Sequence, residues 1–72
     1  MTRRGMPLLT EREREVVSLV VAGLKNKAIA ERLAIAERTV KNHLQSIFHK
    51  LAITSRLQLA MYAIQNRVGR AN

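Results

Sequence analysis

Cysteine is absent from this chain, and so are aspartate and tryptophan; all five acids are glutamate. Without cysteine there are no disulfide staples, thiolate metal ligands or sulfur nucleophiles, and nothing signals an oxidising compartment. Without aspartate, neither a Ser-His-Asp arrangement nor an aspartyl-phosphate acceptor can be built inside the chain. The aromatics are reduced to Phe48 and Tyr62, which counts against the base-stacking platforms of single-strand and RNA readers. Gly5, Gly23 and Gly69 are isolated, so no phosphate-cradling loop exists. No apolar run approaches the ~18 residues of a membrane span, and the basic start at Arg3 and Arg4 leads into no signal-type stretch. The expectation is a basic, cytoplasmic, non-enzymatic module.

What is present is positive charge, and it is one-sided. The 72 residues carry 13 Lys+Arg against 5 acids, a net of +8. Residues 1–37 hold seven bases and five acids, a net of +2. Residues 38–72 hold Arg38, Lys41, Lys50, Arg56, Arg67 and Arg70 with no acid, a net of +6. A half of one sign sets up a field that attracts a polyanion. A chain of this length forms one small domain and buries only about 60% of its unfolded surface.

Apolar residues recur at helical spacing almost from end to end, and nothing alternates like a strand. Residues 1–8, with Arg3, Arg4, Gly5 and Pro7, read as a flexible basic leader. Thr10 and Glu13 form a capping box. Helix 1 is expected over about residues 11–22, with Val16, Val17, Leu19, Val20 and Leu24 inward and Gly23 as a left-handed end. Asn26 is expected to cap a second helix over about 27–33, with Ile29, Ala30 and Leu33 inward. Only Ala34-Ile35-Ala36 separates it from the third. Two helices joined by so short a turn, the second long and basic, suggest helix-turn-helix. A fourth helix is expected from Thr54 or Ser55 to about Asn66, with Ser55 and Gln58 as a second capping box. Residues 67–72 read as a basic tail.

The third helix, about 37–51, is the most informative stretch. At 100° per residue Val40, Leu44, Ile47 and Leu51 fall within about 60° of one another. Arg38, Lys41, Asn42, Gln45 and His49 fall on the opposite side. An ordinary solvated face mixes Glu with Lys; here no acid follows Glu37. Guanidinium, ammonium and carboxamide groups are the side chains that pair with base edges: Arg or Lys with guanine, Asn or Gln with adenine.

The motifs L-T-x-R-E-R-E-V at 9–16, G-L-x-N-K-x-I-A at 23–30, T-V-K-N-H at 39–43 and K-L-x-I-x-S-R at 50–56 occur in this order. Residues 9–66 thereby resemble the LuxR-type (GerE/NarL-like) C-terminal helix-turn-helix domain of bacterial transcription regulators. The resemblance implies an all-α, four-helix domain whose third helix enters the major groove of duplex DNA and whose fourth forms a two-fold dimer contact. The positions matching base contacts are Arg38, Lys41, Asn42 and Gln45, four that the helical wheel also selects. Those matching phosphate contacts are Asn26, Lys27, Thr39, Ser46, His49, Lys50 and Arg56. Asn26 and Lys27 lie at the start of helix 2, where free amides and the helix dipole favour an anion.

Three positions depart from the family pattern. Ala36 stands where Ser or Thr usually caps the recognition helix, at a cost of about 1 kcal/mol. Ala52 replaces the usual glycine after that helix, so the helix 3–4 corner is expected to differ slightly. Leu59-Ala60 inverts a common Ala-Val order. Helix 4 carries two apolar stripes, Leu57, Met61, Ile64 and Val68 on one side and Leu59, Ala60 and Ala63 on another. The resemblance implies that Leu59, Ala60, Ala63 and Ile64 face inward and that Leu57, Gln58, Met61 and Gln65 form the dimer face.

No cofactor, metal or small-molecule ligand is expected of this chain. His43 and His49 point to different sides of one helix, with no cysteine or aspartate to complete a metal site. His43 is expected at the edge of the core. Glu11, Glu13 and Glu15 alternate with Arg12 and Arg14 at a helix start, the pattern of dipole compensation and surface ion pairing. The expected partners are double-stranded DNA and a second copy on a pseudo-palindromic site, with RNA polymerase a further candidate and no membrane. The competing readings are a non-specific, architectural DNA binder, marked by a steep salt slope without sequence preference, and a protein-interaction or membrane-surface module acting through helix 4.

Overall fold

Thr10 opens the first helix by the reciprocal pair its spacing predicts. In the computed structural model its Oγ1 accepts from the Glu13 N–H at 3.1 Å, and the Thr10 N–H donates to Glu13 Oε1 at 2.9 Å. The structure describes residues 9–66; the expected leader at 1–8, the tail at 67–72 and the Val68 end of the outer stripe lie outside them. Four helices follow in order: α1 (Glu11–Val21), α2 (Asn26–Leu33), α3 (Glu37–Leu51) and α4 (Arg56–Asn66). The described residues contain no strand, and the fold is the all-α arrangement expected.

Three helices end alike. Gly23, Ala34 and Ala52 are left-handed, with φ of 94°, 60° and 58°. Each is followed by an apolar residue (Leu24, Ile35, Ile53) whose N–H reaches back five residues, at 3.0–3.1 Å, to Leu19, Ala30 and Phe48 carbonyls. Those three apolar side chains pack, half-buried, on the core, and this pairing of a left-handed residue with an apolar anchor sets the angle at which each helix leaves the last. Ala52 therefore adopts the conformation that suits glycine, and accepts the strain. Ala34 does the same inside the helix-turn-helix, where the sequence shows only a short turn.

Two helix starts differ from expectation. Lys25, not Asn26, occupies the cap position of α2 and makes no side-chain cap bond. Asn26 is already helical, and its Oδ1 accepts from Arg56 Nη1 at 2.8 Å rather than from a local amide. At α4, Ser55 Oγ accepts from the Gln58 N–H at 3.1 Å, but Gln58 Oε1 takes its return bond from the Thr54 N–H at 2.8 Å. Ala36 leaves α3 without a side-chain cap.

One apolar cluster joins all four helices: Val16, Val17 and Val20 from α1, Ile29 and Ala30 from α2, Val40, Leu44 and Ile47 from α3, and Leu59 and Ala63 from α4. The fully buried Ile29, Ile47 and Leu59 each contribute about 1.5–3 kcal/mol by leaving water. α1 packs against the other three helices, and α2 packs against α3. No helix among the described residues is long and apolar enough to cross a membrane.

On α4, Leu59 and Ala63 are buried and Ala60 half-buried, but Ile64 is 60% exposed. The expectation that Ile64 faces inward is corrected. On a 100° wheel Ile64 lies about 140° from Leu59 and about 20° from Leu57. It joins Leu57 (69%) and Met61 (52%) on the outer face.

Candidate nucleic-acid interface

α3 divides into a core stripe and an outer face. Val40, Leu44 and Ile47 are buried, whereas Arg38, Lys41, Asn42, Gln45 and His49 are all exposed. Among the described residues none of these five makes a side-chain hydrogen bond or ion pair. Their donors point into solvent from a helix about 22 Å long, and a B-DNA major groove, about 12 Å wide, is wide enough to admit an α-helix. The turn at Ala34–Ala36 and the packing of α2 against α3 hold this face clear of the rest of the domain.

Beside that face runs an open groove of ≈ 320 Å³, bounded by Lys41 and Gln45 on α3 and by Asn26, Thr54, Ser55 and Arg56 across from them. Arg56 is one of its lining residues. Its guanidinium donates to Asn26 Oδ1 and to the Leu24 carbonyl, both at 2.8 Å, tying the start of α4 to the start of α2. Two residues expected on phosphate, Asn26 and Arg56, are thus brought together, with exposed Lys27 next along α2.

On the other flank the structure departs from surface ion pairing. Glu13 is only 4% exposed. Ser46 Oγ donates to its Oε2 at 2.9 Å, and Lys50 Nζ donates to both oxygens at 2.9 and 3.2 Å. Burial alone pushes the Glu13 carboxyl up. The hydrogen bonds from Lys50, the Thr10 amide and Ser46, with the Lys50 charge, outweigh burial and hold it below its ordinary value. Ser46 and Lys50, expected on phosphate, are therefore both engaged with α1. Thr39 and His43 are half-buried along α3, and His49 is exposed. Sequence reasoning placed Glu13 with Glu11 and Glu15, yet its spacing to Val16, Val17 and Val20 puts it on the inward stripe of α1, a signal that was available. The Arg12–Glu15 pair, at 3.3 Å, is the surface ion pair expected of this segment.

Comparison with known proteins bears on this geometry. The family described as bacterial regulatory proteins, luxR family, matches residues 7–63. The chain belongs to the LuxR family. It is a DNA-binding helix-turn-helix domain of transcription regulators and not an enzyme. It is 53% identical over 57 residues to the transcriptional regulatory protein LnrK of Bacillus subtilis, covering 79% of this chain and 26% of that protein. It is 42% identical over 67 residues to the nitrate/nitrite response regulator protein NarL of Escherichia coli, covering 93% and 31%. It is 41% identical over 64 residues to the transcriptional regulatory protein DegU of Brevibacillus brevis, covering 89% and 27%. The chain thus spans between a quarter and a third of the length of these three LuxR-family relatives.

Proposed function

We propose that this LuxR-family domain binds a pseudo-palindromic duplex site as a homodimer, with α3 in the major groove. The observation that carries the reading is the outer face of α3, five exposed polar or cationic side chains without internal partners and without an acid among them. Arg38, Lys41, Asn42 and Gln45 read base edges, and Lys41 and Asn42, in the middle of the face, supply most of the discrimination. Asn26, Lys27, Thr39, His49 and Arg56 hold phosphates and set the register. Ser46 and Lys50 are left out of that set because the buried Glu13 carboxylate holds them, whereas Arg56, among the described residues, meets only the neutral oxygens of Asn26 and Leu24 and keeps an uncompensated charge.

Leu57, Gln58, Met61 and Gln65, all exposed on α4, form the contact between copies, with Ile64 extending its apolar stripe. The domain is read as the output domain of a response-regulator or quorum-sensing-like protein in the bacterial cytoplasm, with RNA polymerase as a further partner; the name of one relative, a response regulator, supports the first of these settings. No cofactor is assigned.

The test is selection from a random duplex pool at about 150 mM salt, followed by sequencing of what the purified chain retains. Two enriched, inverted half-sites are the expected result, and their separation gives the dimer geometry. Retention without enrichment would favour non-specific phosphate binding, and no retention would favour a protein partner on α4.

A further inference from the structure

Glu13 grips α3 at two successive turns. Ser46 and Lys50 lie four residues apart on one flank of the helix, and both donate to the same carboxylate. That carboxylate also closes the capping box at the start of α1, so α1 and α3 share one buried anion. A carboxylate offers about four acceptor sites. Here they are filled by the Thr10 amide, the Ser46 hydroxyl and the Lys50 ammonium, and no buried side-chain polar atom among the described residues is left unpaired. Two of the three Lys50 donors go to Glu13, and a phosphate that drew the ammonium away would leave a carboxylate that is 4% exposed as an uncompensated buried charge. A phosphate offers a hydrated, salt-screened anion in exchange, which favours the internal pair.

We propose that Glu13 is a positioning residue for DNA readout: it fixes the roll of α3 through Ser46 and Lys50, and it withholds the Lys50 charge from the phosphate backbone. On the helical wheel Asn42 lies about 40° from Ser46, so a roll of α3 about its axis re-aims Asn42 and Gln45 directly. Lys50 then contributes no counterion release, although it sits on the helix that enters the groove. The inference rests on the duplex-binding reading above.

The test is the salt dependence of binding to a duplex of arbitrary sequence, by fluorescence anisotropy, for wild type, Glu13→Gln, Lys50→Met and the double variant, with circular dichroism to verify each fold. Each phosphate contact contributes about 0.9 to the slope of log K against log salt. Lys50→Met and the double variant are expected to keep the wild-type slope, and Glu13→Gln, which frees the ammonium, to steepen it by about 0.9. On the selected site the double variant is expected to lose roughly tenfold in specific over non-specific affinity at unchanged slope, the mark of a mis-aimed helix rather than a lost contact.

A slope flatter by about 0.9 in the double variant would show that Lys50 contacts phosphate and would overturn the proposal. An unchanged specificity ratio would overturn the positioning role. The double variant holds no lone buried charge, so it decides the matter even if a single variant fails to fold. Absence of duplex binding by the wild type would instead overturn the duplex-binding reading itself.

Discussion

The Lys50 ammonium on α3 lies 2.9 Å from the Glu13 carboxylate on α1, and only 4% of Glu13 is exposed. The link spans 37 residues of sequence and fastens α3 to the first helix of the domain. Because the Glu13 carboxyl is held below its ordinary value of 4.5, the stability it contributes is fully present above that pH. It is lost as pH falls through the lower, folded-state value. The urea midpoint of the wild type is expected to drop between neutral pH and pH 3, and that of Glu13→Gln to drop less. Glu13→Gln should cost about 1–3 kcal/mol at pH 7. Parallel pH profiles for the two proteins would contradict the assignment.

A second tie runs from Arg56 to Asn26 and the Leu24 carbonyl. Arg56→Ala is expected to destabilise the domain by about 1.5–3 kcal/mol, the range for hydrogen bonds to a charged group. In a double-mutant cycle with Asn26→Ala the coupling should be at least about 0.5 kcal/mol. Strict additivity in urea denaturation would show that the contact contributes nothing to stability.

Ala34 and Ala52 hold positive φ that alanine adopts only at a cost. Ala34→Gly and Ala52→Gly are each expected to raise stability by about 0.5–1 kcal/mol. Ala36→Ser, which supplies the missing cap of α3, should add about 1 kcal/mol. Thermal denaturation reads all three, and a lower melting temperature in either glycine variant would mean that those corners are not left-handed in solution.

The outer stripe of α4 gives a separate expectation. Leu57→Glu and Met61→Glu alter side chains that are 69% and 52% exposed, so each variant should melt like the wild type. Both should bind a single half-site as well as the wild type does, while losing at least tenfold on a two-half-site duplex in gel-shift assays. Equal affinity on both duplexes would place the contact between copies elsewhere.

The helices and their inward stripes were legible because they depend on local spacing. Val16, Val17 and Val20, or Val40, Leu44 and Ile47, declare a buried face without reference to any other element. The exposed polar face of α3 was legible for the same reason. What escaped depended on partners distant in sequence. Asn26 looks like a helix cap until Arg56, 30 residues on, takes its oxygen. Glu13 looks like one of three surface glutamates until α3 packs over it. Ala34 gives no sign of a left-handed conformation because alanine has no preference for it; only the anchoring of Ile35 on the core imposes it. Ile64 lies on the outer stripe with which the wheel groups it, beside Leu57 and Met61, so the inward placement implied by the family resemblance does not hold for this residue.

The most direct test of base reading by α3 is to repeat the random-duplex selection with Asn42→Ala beside the wild type. The expected result is the same pair of half-sites with one position in each relaxed, equivalent to about 1–3 kcal/mol of lost discrimination there. His49→Ala, run in parallel, should retain less DNA but enrich the same motif. An Asn42→Ala motif identical to that of the wild type at every position would contradict the role given to this face of α3.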